Sequence, residues 1–569
     1  MENSKKRIAI LGGGPSGMFM FKRLIESGRG DFEITIFEKK KQLGAGMPYS
    51  KEGSNDEHIT NVSANEIPSL VTSISEWIQT VPDEMLKHFD IERDCFNEYK
   101  VLPRLLFGAY LSAQFELLLK NAKSAEIKVD LRTESEVIDI IDKPNGDEVW
   151  VKTSDDSTSK FDHVIICTGH NWPKKHEGKI PGYFDSPYPP SKLQSVFNHA
   201  VAIKGSSLTA IDAIRTMARN HGNYTYENGN LTYQIHEENP DFRIVMHSRN
   251  GLLPAVRFHL EDTHLQNDSL LTDEEIAEHK AGNDGFLSLD FIFENDFKAP
   301  FREKDREFYE RIRNWSIEEF VSEMMELRER LDPFTLLKAE YAEAEKSIKR
   351  EQSVYWKEML AVLSFALNYP AKYLSAEDML RLQKVLMPLI SIVIAFVPQG
   401  SCREMLALHA AGLLDLLAVG DDSQIEALEK GGIIYHFEDQ ESGQKQSVYY
   451  QTFIDCVGQP HLSYTDFPFK SLVSDKTIGP ATLRFRSSEE GKKAEIADNQ
   501  KVEHDSHDHY YLHVPGITIT DHFQVADRYG AYNPRIYIMA VPYIGGYNPD
   551  YSGLDFCEAA SAKIIESLL

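Results

Sequence analysis

The sequence predicts an α/β protein with two Rossmann-like dinucleotide-binding domains and a helical insertion. The first observation is an apolar run, residues 8–11, that passes into a glycine-rich loop and then a helical pattern. The second is a similar succession of run, loop and helical pattern from residue 201 to 212. The third is a series of long helical patterns between about residues 260 and 386. At 569 residues the chain is too long for one core, and two or three domains are expected.

The first glycine-rich loop has the spacing of a dinucleotide-binding fingerprint. Gly12, Gly14 and Gly17 supply the G-x-G-x-x-G pattern, which allows a tight turn, a close approach of the backbone to a pyrophosphate, and close packing of helix on strand. Pro15 and Ser16 open the following helix, whose free N–H groups suit a phosphate.

The acidic residue expected after the second strand is also present. An apolar run over residues 32–37 ends at Glu38, 21 residues beyond Gly17, and Lys39 follows. A carboxylate at this position binds the ribose hydroxyls and favours FAD or NAD over NADP. The alternative is an ordinary glycine turn beside a solvated glutamate.

Three segments of the first half carry further candidate contacts to a dinucleotide. Gly46 and Met47 lie in a glycine-containing loop that either passes close over a flat cofactor or forms a surface turn. Asn61 lies in a polar loop, near flavin or substrate. Arg104 follows a helix-starting proline and either pairs with a pyrophosphate or substrate carboxylate, or forms a surface salt bridge.

Two strand exits are expected beside the cofactor. Thr168 and Gly169 end a buried strand, where small residues let the chain turn next to a dinucleotide. Near the C-terminus, Gly545, Gly546 and Ser552 belong to a loop that enters a helix over residues 554–568. We expect its backbone amides and helix N-terminus to face the carbonyl edge of a flavin ring.

The second unit departs from the fingerprint at one position. Gly205 begins its loop and Leu208 begins its helix, but Ser207 stands where a second glycine is expected. A side chain there crowds the approach of a pyrophosphate, so the site binds its nucleotide less closely or serves as scaffold. Arg249 follows the next strand, where an arginine can bind a 2′-phosphate, so NADPH is favoured over NADH. The alternative is a loop salt bridge.

Composition excludes several classes of protein. A net charge of −27 and a pI near 5.2 argue against nucleic acid or an anionic membrane as partner. The most apolar later segment, residues 385–397, contains Pro388 and is too short to span a bilayer, so we expect it to be buried. Five scattered cysteines without a C-x-x-C pair indicate neither a disulfide framework nor a dithiol centre, and favour the cytoplasm. His504, His507 and His509 have no standard metal-ligand spacing, so no metal is predicted.

Together these segments resemble bacterial FAD/NAD(P)-binding proteins with two dinucleotide-binding domains, which are distantly similar to flavin-dependent N-hydroxylating and Baeyer–Villiger monooxygenases. The resemblance covers both ends and the middle of the chain but not the helical insertion. It implies an enzyme in which NADPH (or NADH) reduces FAD and the reduced flavin then activates oxygen. The implied partner is a small polar substrate; no catalytic side chain and no oligomeric state is implied.

Two similar strand ends, residues 166–170 and 453–459, indicate a discontinuous domain organisation, in which the chain leaves and re-enters one nucleotide-binding domain. The FAD-binding domain is predicted over 1–175 and 453–569, the NAD(P)H-binding domain over 176–260 and 387–452, and the insertion over 261–386. Two other functions remain open at this point: an NAD(P)H-dependent flavin reductase or dehydrogenase without oxygen insertion, and a non-catalytic nucleotide-binding sensor.

Overall fold

Two open sheets organise the computed structural model, which describes residues 5–260, 270–368, 370–440, 442–498, 501–549 and 553–569. Within these ranges the strands in chain order are β1 (Lys6–Leu11), β2 (Phe32–Phe37), β3 (Ile59–Ser63), β4 (Val101–Pro103), β5 (Lys128–Arg132), β6 (Val137–Lys143), β7 (Glu148–Thr153), β8 (Thr158–Phe161), β9 (His163–Ile166), β10 (Tyr183–Phe184), β11 (Ala200–Lys204), β12 (Gly222–Glu227), β13 (Asn230–Ile235), β14 (Arg243–Ser248), β15 (Leu414–Ala418), β16 (Gln424–Ala427), β17 (Ile433–Glu438), β18 (Lys445–Tyr450), β19 (Thr452–Asp455), β20 (Pro480–Arg484), β21 (Val502–His504), β22 (Tyr510–Ile517), β23 (Gln524–Ala526) and β24 (Tyr532–Ile538).

The α-helices of the same ranges cover both sheets and fill the middle of the chain. In chain order they are α1 (Pro15–Glu26), α2 (Ile74–Ile78), α3 (Asp83–His88), α4 (Arg104–Ser124), α5 (Leu208–His221), α6 (Asp273–Ala281), α7 (Leu289–Ile292), α8 (Phe301–Lys304), α9 (Arg306–Ile312), α10 (Ile317–Arg330), α11 (Pro333–Arg350), α12 (Tyr355–Ala366), α13 (Ala376–Arg381), α14 (Met387–Val393), α15 (Gln399–Ala410), α16 (Lys470–Ser474), α17 (Ser488–Ala497) and α18 (Leu554–Leu568). Two π-helical segments, Phe293–Lys298 and Leu382–Leu386, continue α7 and α13.

The first sheet has six strands in the order β23-β24-β9-β1-β2-β5, and only β23 runs antiparallel to its neighbour. Ile8 and Ile10 of β1 are fully buried, as a central strand covered on both faces requires. Helices α1, α4 and α18 cover this sheet, and α1 packs along α18. The C-terminal helix therefore belongs to the same unit as the first glycine-rich loop.

The second sheet has five parallel strands in the order β10-β19-β11-β14-β15. Its core strands repeat those of the first sheet: β11 lies between β14 and β19 as β1 lies between β2 and β9. The chain leaves this sheet after β14, passes through the middle helices, and returns at α15 and β15. Two Rossmann-like units with a helical insertion, the predicted α/β fold class, are thus confirmed.

The middle segment is mainly helical from Asp273 to Val393. Most of its buried apolar side chains belong to the same cluster as those of the first sheet, whereas Phe334, Leu337 and Ala344 of α11 belong to the cluster of the second sheet. The helical pattern over residues 302–315, within the predicted insertion, does not form one continuous helix. Asp305 takes an extended backbone conformation and its carboxylate accepts the N–H of Phe308, so the helix ends and a new one, α9, begins there. The apolar segment 385–397 is largely buried, as predicted. None of the described helices has the length and apolar character needed to cross a membrane.

Candidate functional site

The first glycine-rich loop makes the contacts that only glycine permits. Gly12 has a φ of +116°, and a Cβ there would lie 2.5 Å from the carbonyl oxygen of Cys167 at the end of β9. A Cβ on Gly17 would lie 1.9 Å from the carbonyl oxygen of Gly12, so the first turn of α1 packs directly on the loop. The Gly12 N–H donates to the carbonyl of Phe37 at 2.8 Å. The free N–H groups of α1 are thereby fixed at the edge where the parallel strands end.

Glu38 lies directly beside this loop. One carboxylate oxygen accepts the N–H of Gly13 at 2.9 Å, and the other accepts the N–H of Lys40 at 2.9 Å. Each oxygen keeps a lone pair that can accept a hydroxyl hydrogen bond. Lys39 is exposed. The geometry fits the predicted ribose contact of Glu38, and the contacts of both residues with a nucleotide stay predictions.

The loop of Gly46 and Met47 packs against the glycine-rich loop itself. A Cβ on Gly46 would lie 2.8 Å from the ring of Pro15, and 3.6 Å from Gly14. The preceding Gly44 N–H donates to the Gly13 carbonyl at 2.7 Å. This loop therefore forms one wall of the cleft at the N-terminus of α1.

A second wall comes from the C-terminal helix and the loop before it. The Ser16 hydroxyl lies 3.4 Å from the thiol of Cys557 on α18, which holds the two helix N-termini together. Gly545 and Gly546 are buried, and the Gly546 N–H donates to the carbonyl of Pro515 at 2.8 Å. Ser552 lies outside the described residues.

The end of β9 offers a polar atom that no described residue satisfies. The buried hydroxyl oxygen of Thr168 has no hydrogen-bond partner among them, and a Cβ on Gly169 would meet open space. A buried hydroxyl normally finds a partner, so this one points to a missing polar ligand. The residues therefore fit a dinucleotide laid from Glu38 across the glycine-rich loop to Thr168.

The second glycine-rich loop repeats the contacts of the first glycine and the backbone course of the first loop. Gly205 has a φ of +108°, and its Cβ would lie 2.8 Å from the carbonyl of Cys456 at the end of β19. Its N–H donates to the carbonyl of His247 at 2.8 Å, as Gly12 donates to Phe37. Ser207, at φ −96° and ψ −163°, repeats the backbone conformation of Gly14, at φ −78° and ψ −166°. Because Ser207 is exposed at the N-terminus of α5, its side chain changes the surface of the loop and leaves its course unchanged.

The register of β14 shows which residues of the two units correspond. Since His247 matches Phe37, Ser248 takes the place of Glu38, and Arg249 takes the place of Lys39. The second unit thus lacks the carboxylate that would repel a 2′-phosphate. The side chain of Arg249 is 76% exposed, and its guanidinium lies 3.6 Å from the exposed carboxylate of Asp421. Such an ion pair is weak and yields readily to a phosphate.

Arg104 joins the two units through a buried ion pair. Its guanidinium lies 2.5 Å from the carboxylate of Asp212 on α5 and donates to the carbonyl of Ile59 at 3.0 Å. Tyr188 donates to the same carboxylate at 2.7 Å. Arg104 therefore forms a salt bridge in this structure, as the alternative interpretation expected, but the salt bridge is buried and not at the surface. A contact to flavin stays a prediction.

The charges in this network are fixed by burial and by each other. Burial alone would raise the pKa of Asp212, but the Arg104 charge and two hydrogen bonds outweigh it and the pKa is lowered. Burial lowers the pKa of His58, whose Nε2 lies 3.2 Å from the Asp212 carbonyl and 3.1 Å from the Thr216 hydroxyl. The ion pair thus stays charged and the histidine stays neutral.

Asn61 is held by residues that sequence reasoning did not single out. Its carbonyl accepts a hydrogen bond from Arg257, whose guanidinium also forms a buried pair with Glu66 and donates to the Ser63 hydroxyl at 2.8 Å. The prediction that Asn61 lies in a loop is wrong, because it belongs to strand β3, and its partner Arg257 lies 196 positions away in the sequence.

The two chain crossings between the units lie side by side, and the sequence did not predict the hydrogen bonds that join them. The Gln459 amide exchanges hydrogen bonds of 2.7 Å with the backbone N–H and carbonyl of Asn171, and the indole of Trp172 donates to the carbonyl of Gly458. His461, which follows, packs on Gly545, and burial lowers its pKa to about 4. A neutral imidazole therefore lies against the loop expected at the flavin.

Comparison with known proteins assigns the first unit. Residues 9–171 match the family model described as FAD-NAD(P)-binding, and residues 272–394 match the one described as YdhS-like middle domain. The chain is 29% identical over 475 residues to an uncharacterized Escherichia coli (strain K12) protein, YdhS, covering 82% of this chain and 86% of that protein. It is 24% identical over 247 residues to the flavin-containing monooxygenase FMO GS-OX3 of Arabidopsis thaliana, covering 38% and 47%.

Among solved structures, the ornithine hydroxylase PvdA from Pseudomonas aeruginosa aligns over 99% of this chain and 100% of that chain, with a TM-score of 0.47 and 10% identity. The sequence matches confirm the predicted resemblance to FAD/NAD(P)-binding proteins and its distant similarity to flavin-dependent monooxygenases. Residues 9–171 of the chain therefore form an FAD-NAD(P)-binding domain.

Proposed function

We propose that this protein is an NADPH-using, single-component monooxygenase of the N-hydroxylating type that acts on a small polar molecule in the cytoplasm. The observation that carries the proposal is that the second glycine-rich loop repeats the backbone course of the first, with different residues at the ribose position. Glu38 suits a free ribose diol, and Ser248 with Arg249 suits a 2′-phosphate. Two dinucleotides in one chain are what hydride transfer from NADPH to FAD requires.

The residues around the first loop support FAD as the resident cofactor. FAD, when bound, accepts a hydride from NADPH and passes the electrons to oxygen. The glycine-rich loop would orient it, the Thr168 hydroxyl would hydrogen-bond a polar atom of it, and the loop of Gly545 and Gly546 would form one wall of its cleft. The buried ion pair of Arg104 and Asp212 fixes the second unit against the first.

Two further observations favour oxygen chemistry over thiol chemistry. All five cysteines are free thiols, and four of them are buried. Burial raises the pKa of Cys167 and of Cys557, which keeps these thiols protonated. The relatives whose names state an activity include a flavin-containing monooxygenase and the thiol-specific monooxygenase of Saccharomyces cerevisiae, at 24% and 28% identity.

The test is product analysis with the purified holoenzyme. NADPH oxidation and oxygen uptake are followed with a panel of small amines and amino acids, and products are examined by mass spectrometry for one added oxygen atom. A hydroxylated product formed with matching NADPH and oxygen consumption supports the proposal. NADPH oxidation that proceeds with an artificial acceptor but gives no oxygenated product from any amine identifies a reductase. The absence of NADPH oxidation identifies a sensor. Either result contradicts the proposal.

A matched pair of variants tests the nucleotide assignment. Arg249→Ala removes the cation from the second unit, and Lys39→Ala removes the corresponding exposed cation from the first. Loss of NADPH affinity in the first variant alone is expected. Equal effects of the two variants would argue against a 2′-phosphate site at Arg249.

A further inference from the structure

A cavity of about 350 Å³ lies between the middle helices and the C-terminal helix, outside both glycine-rich loops. The middle segment contributes apolar side chains such as Leu271, Ile276 and Ile292, and α18 contributes Phe556 and Ala560. Its volume is at the lower end of the range for small-molecule sites, and its lining is mostly apolar. The matched middle domain thus shares a pocket with the FAD-binding unit.

One buried carboxylate lines this cavity. Asp296 is 2% exposed, and its Oδ1 accepts the N–H of Leu271 at 2.8 Å. Its Oδ2 receives no hydrogen bond from any residue that the structure describes. Because Asp296 lines the cavity, this oxygen can accept a hydrogen bond from a group bound there.

Asp296 also lies on an unusual piece of backbone. Residues Phe293–Lys298 form a π-helical turn after α7, in which the Ala299 N–H donates to the carbonyl of Glu294 at 2.9 Å. Single π-helical turns inserted in α-helices occur frequently at functional sites. The turn shifts the carboxylate relative to the preceding α-helical register.

The charges around the cavity favour a cation. Lys563 of α18 pairs with Asp273 of α6 at 2.6 Å, which leaves Glu566 and Asp296 as the further charged groups of the lining. Behind Asp296, the carboxylate of Glu275 caps α6. Lys298 belongs to the same π-helical turn as Asp296. Its ammonium lies 3.2 Å from the carboxylate of Glu294 and donates to the carbonyls of Arg313 and Trp315, so among the described residues it is paired with these groups and not with Asp296.

We propose that this cavity binds an apolar primary amine, with its ammonium group on Asp296 and its hydrocarbon body against the apolar walls. The ammonium donates to Oδ2 and offsets the excess of carboxylates over ammonium groups in the lining. Attraction between opposite charges is strong in a buried, low-dielectric setting. A carboxylic acid would instead face three carboxylates and one ammonium. The inference goes beyond the proposed function, since binding here requires neither hydride transfer nor oxygen.

The ionisation of Asp296 makes binding depend on pH. Burial and the charge of Glu275 raise the pKa of Asp296 to about 7, against the effect of the Leu271 N–H. An alkylamine stays protonated well above this value, with a pKa of about 10. Affinity for the amine is therefore expected to rise as pH increases from 6 to 8, because the carboxylate ionises over that interval.

The experiment compares three probes of similar size on the full-length holoenzyme at pH 8: 2-phenylethylamine, 2-phenylethanol and 3-phenylpropionate. Calorimetry or ligand-observed NMR measures their affinities for the natural protein, for Asp296→Asn, and for Asp284→Asn, an exposed aspartate outside the cavity. The amine is expected to bind at least about tenfold more tightly than the alcohol, a gain lost in Asp296→Asn only. The rise in amine affinity from pH 6 to 8 should vanish in the same variant.

A second variant keeps the test independent of the stability of Asp296→Asn. Ala559→Leu fills the cavity from the α18 side without touching a charge, and it should weaken amine and alcohol alike. The proposal is overturned if the alcohol or the carboxylate binds as tightly as the amine, if amine affinity is unchanged by Asp296→Asn or by pH, or if no probe binds at millimolar concentration.

Discussion

Replacing one glycine in each loop should separate the two nucleotide sites. In Gly12→Ala the new Cβ would lie 2.5 Å from the Cys167 carbonyl, and in Gly205→Ala it would lie 2.8 Å from the Cys456 carbonyl. Both residues also have a positive φ, where a side chain is strained. Strain of this kind costs about 1–3 kcal/mol. If the loop moves to relieve it, affinity falls about 5- to 140-fold at 1.4 kcal/mol per tenfold.

The assay measures the two sites separately. The ratio of FAD to protein is measured for Gly12→Ala, and we expect this variant to lose FAD. The KM for NADPH is measured for Gly205→Ala, and we expect this variant to keep FAD but to have a higher KM for NADPH. Gly178→Ala is the control, since Gly178 has a φ of +81° but open space around its Cβ. Equal loss of FAD in both loop variants, or an unchanged KM for NADPH in Gly205→Ala, would refute the assignment of one loop to each nucleotide.

Three further predictions concern specificity, stability and pH. Arg249→Ala should raise the KM for NADPH about 10- to 100-fold and leave that for NADH unchanged, because the lost charge-assisted bond serves only the 2′-phosphate; steady-state kinetics with both nucleotides checks this. Arg104→Met should destabilise the chain by about 3–5 kcal/mol, since it leaves the Asp212 carboxylate buried without its cation; thermal unfolding should show a large fall in Tm that Asp212→Asn in the same chain partly restores. Burial lowers the pKa of His247 from 6.5 to about 4, so as pH falls the unfolded chain binds a proton at this residue before the folded chain does. The free energy of unfolding should therefore be highest above pH 6.5 and decrease between pH 6.5 and pH 4. This decrease should be smaller in His247→Phe.

Short-range features of the fold could be predicted from the sequence. The course of the chain from β1 through Gly12 to α1 depends on neighbours within a few residues, and so does the corresponding turn at Gly205. The sequence also showed that Ser207 replaces the second glycine of the fingerprint. It did not show the effect on the loop, because only the backbone angles reveal that Ser207 keeps the conformation of Gly14. The α/β class follows from such local patterns alone.

Contacts between distant residues could not be predicted. The partner of Arg104 lies on α5, 108 positions away, and nothing near Arg104 distinguishes a buried pair from a cofactor contact. Asp296 stands in a segment rich in charged residues, which is typical of a solvated helix face, but packing of this segment against α12 and the neighbouring helices buries it. Tertiary packing, which has no single-sequence signal, decides both cases.

The central claim is that this chain binds FAD and reduces it with a nicotinamide nucleotide bound at the second loop. The most direct measurement is anaerobic titration of the purified protein with NADPH and with NADH, followed in the visible absorption band of the flavin. We predict that the protein carries FAD and that NADPH bleaches this band completely, at lower concentration than NADH. A protein that contains no FAD and takes up none, or bound FAD that neither nucleotide reduces, would contradict the claim.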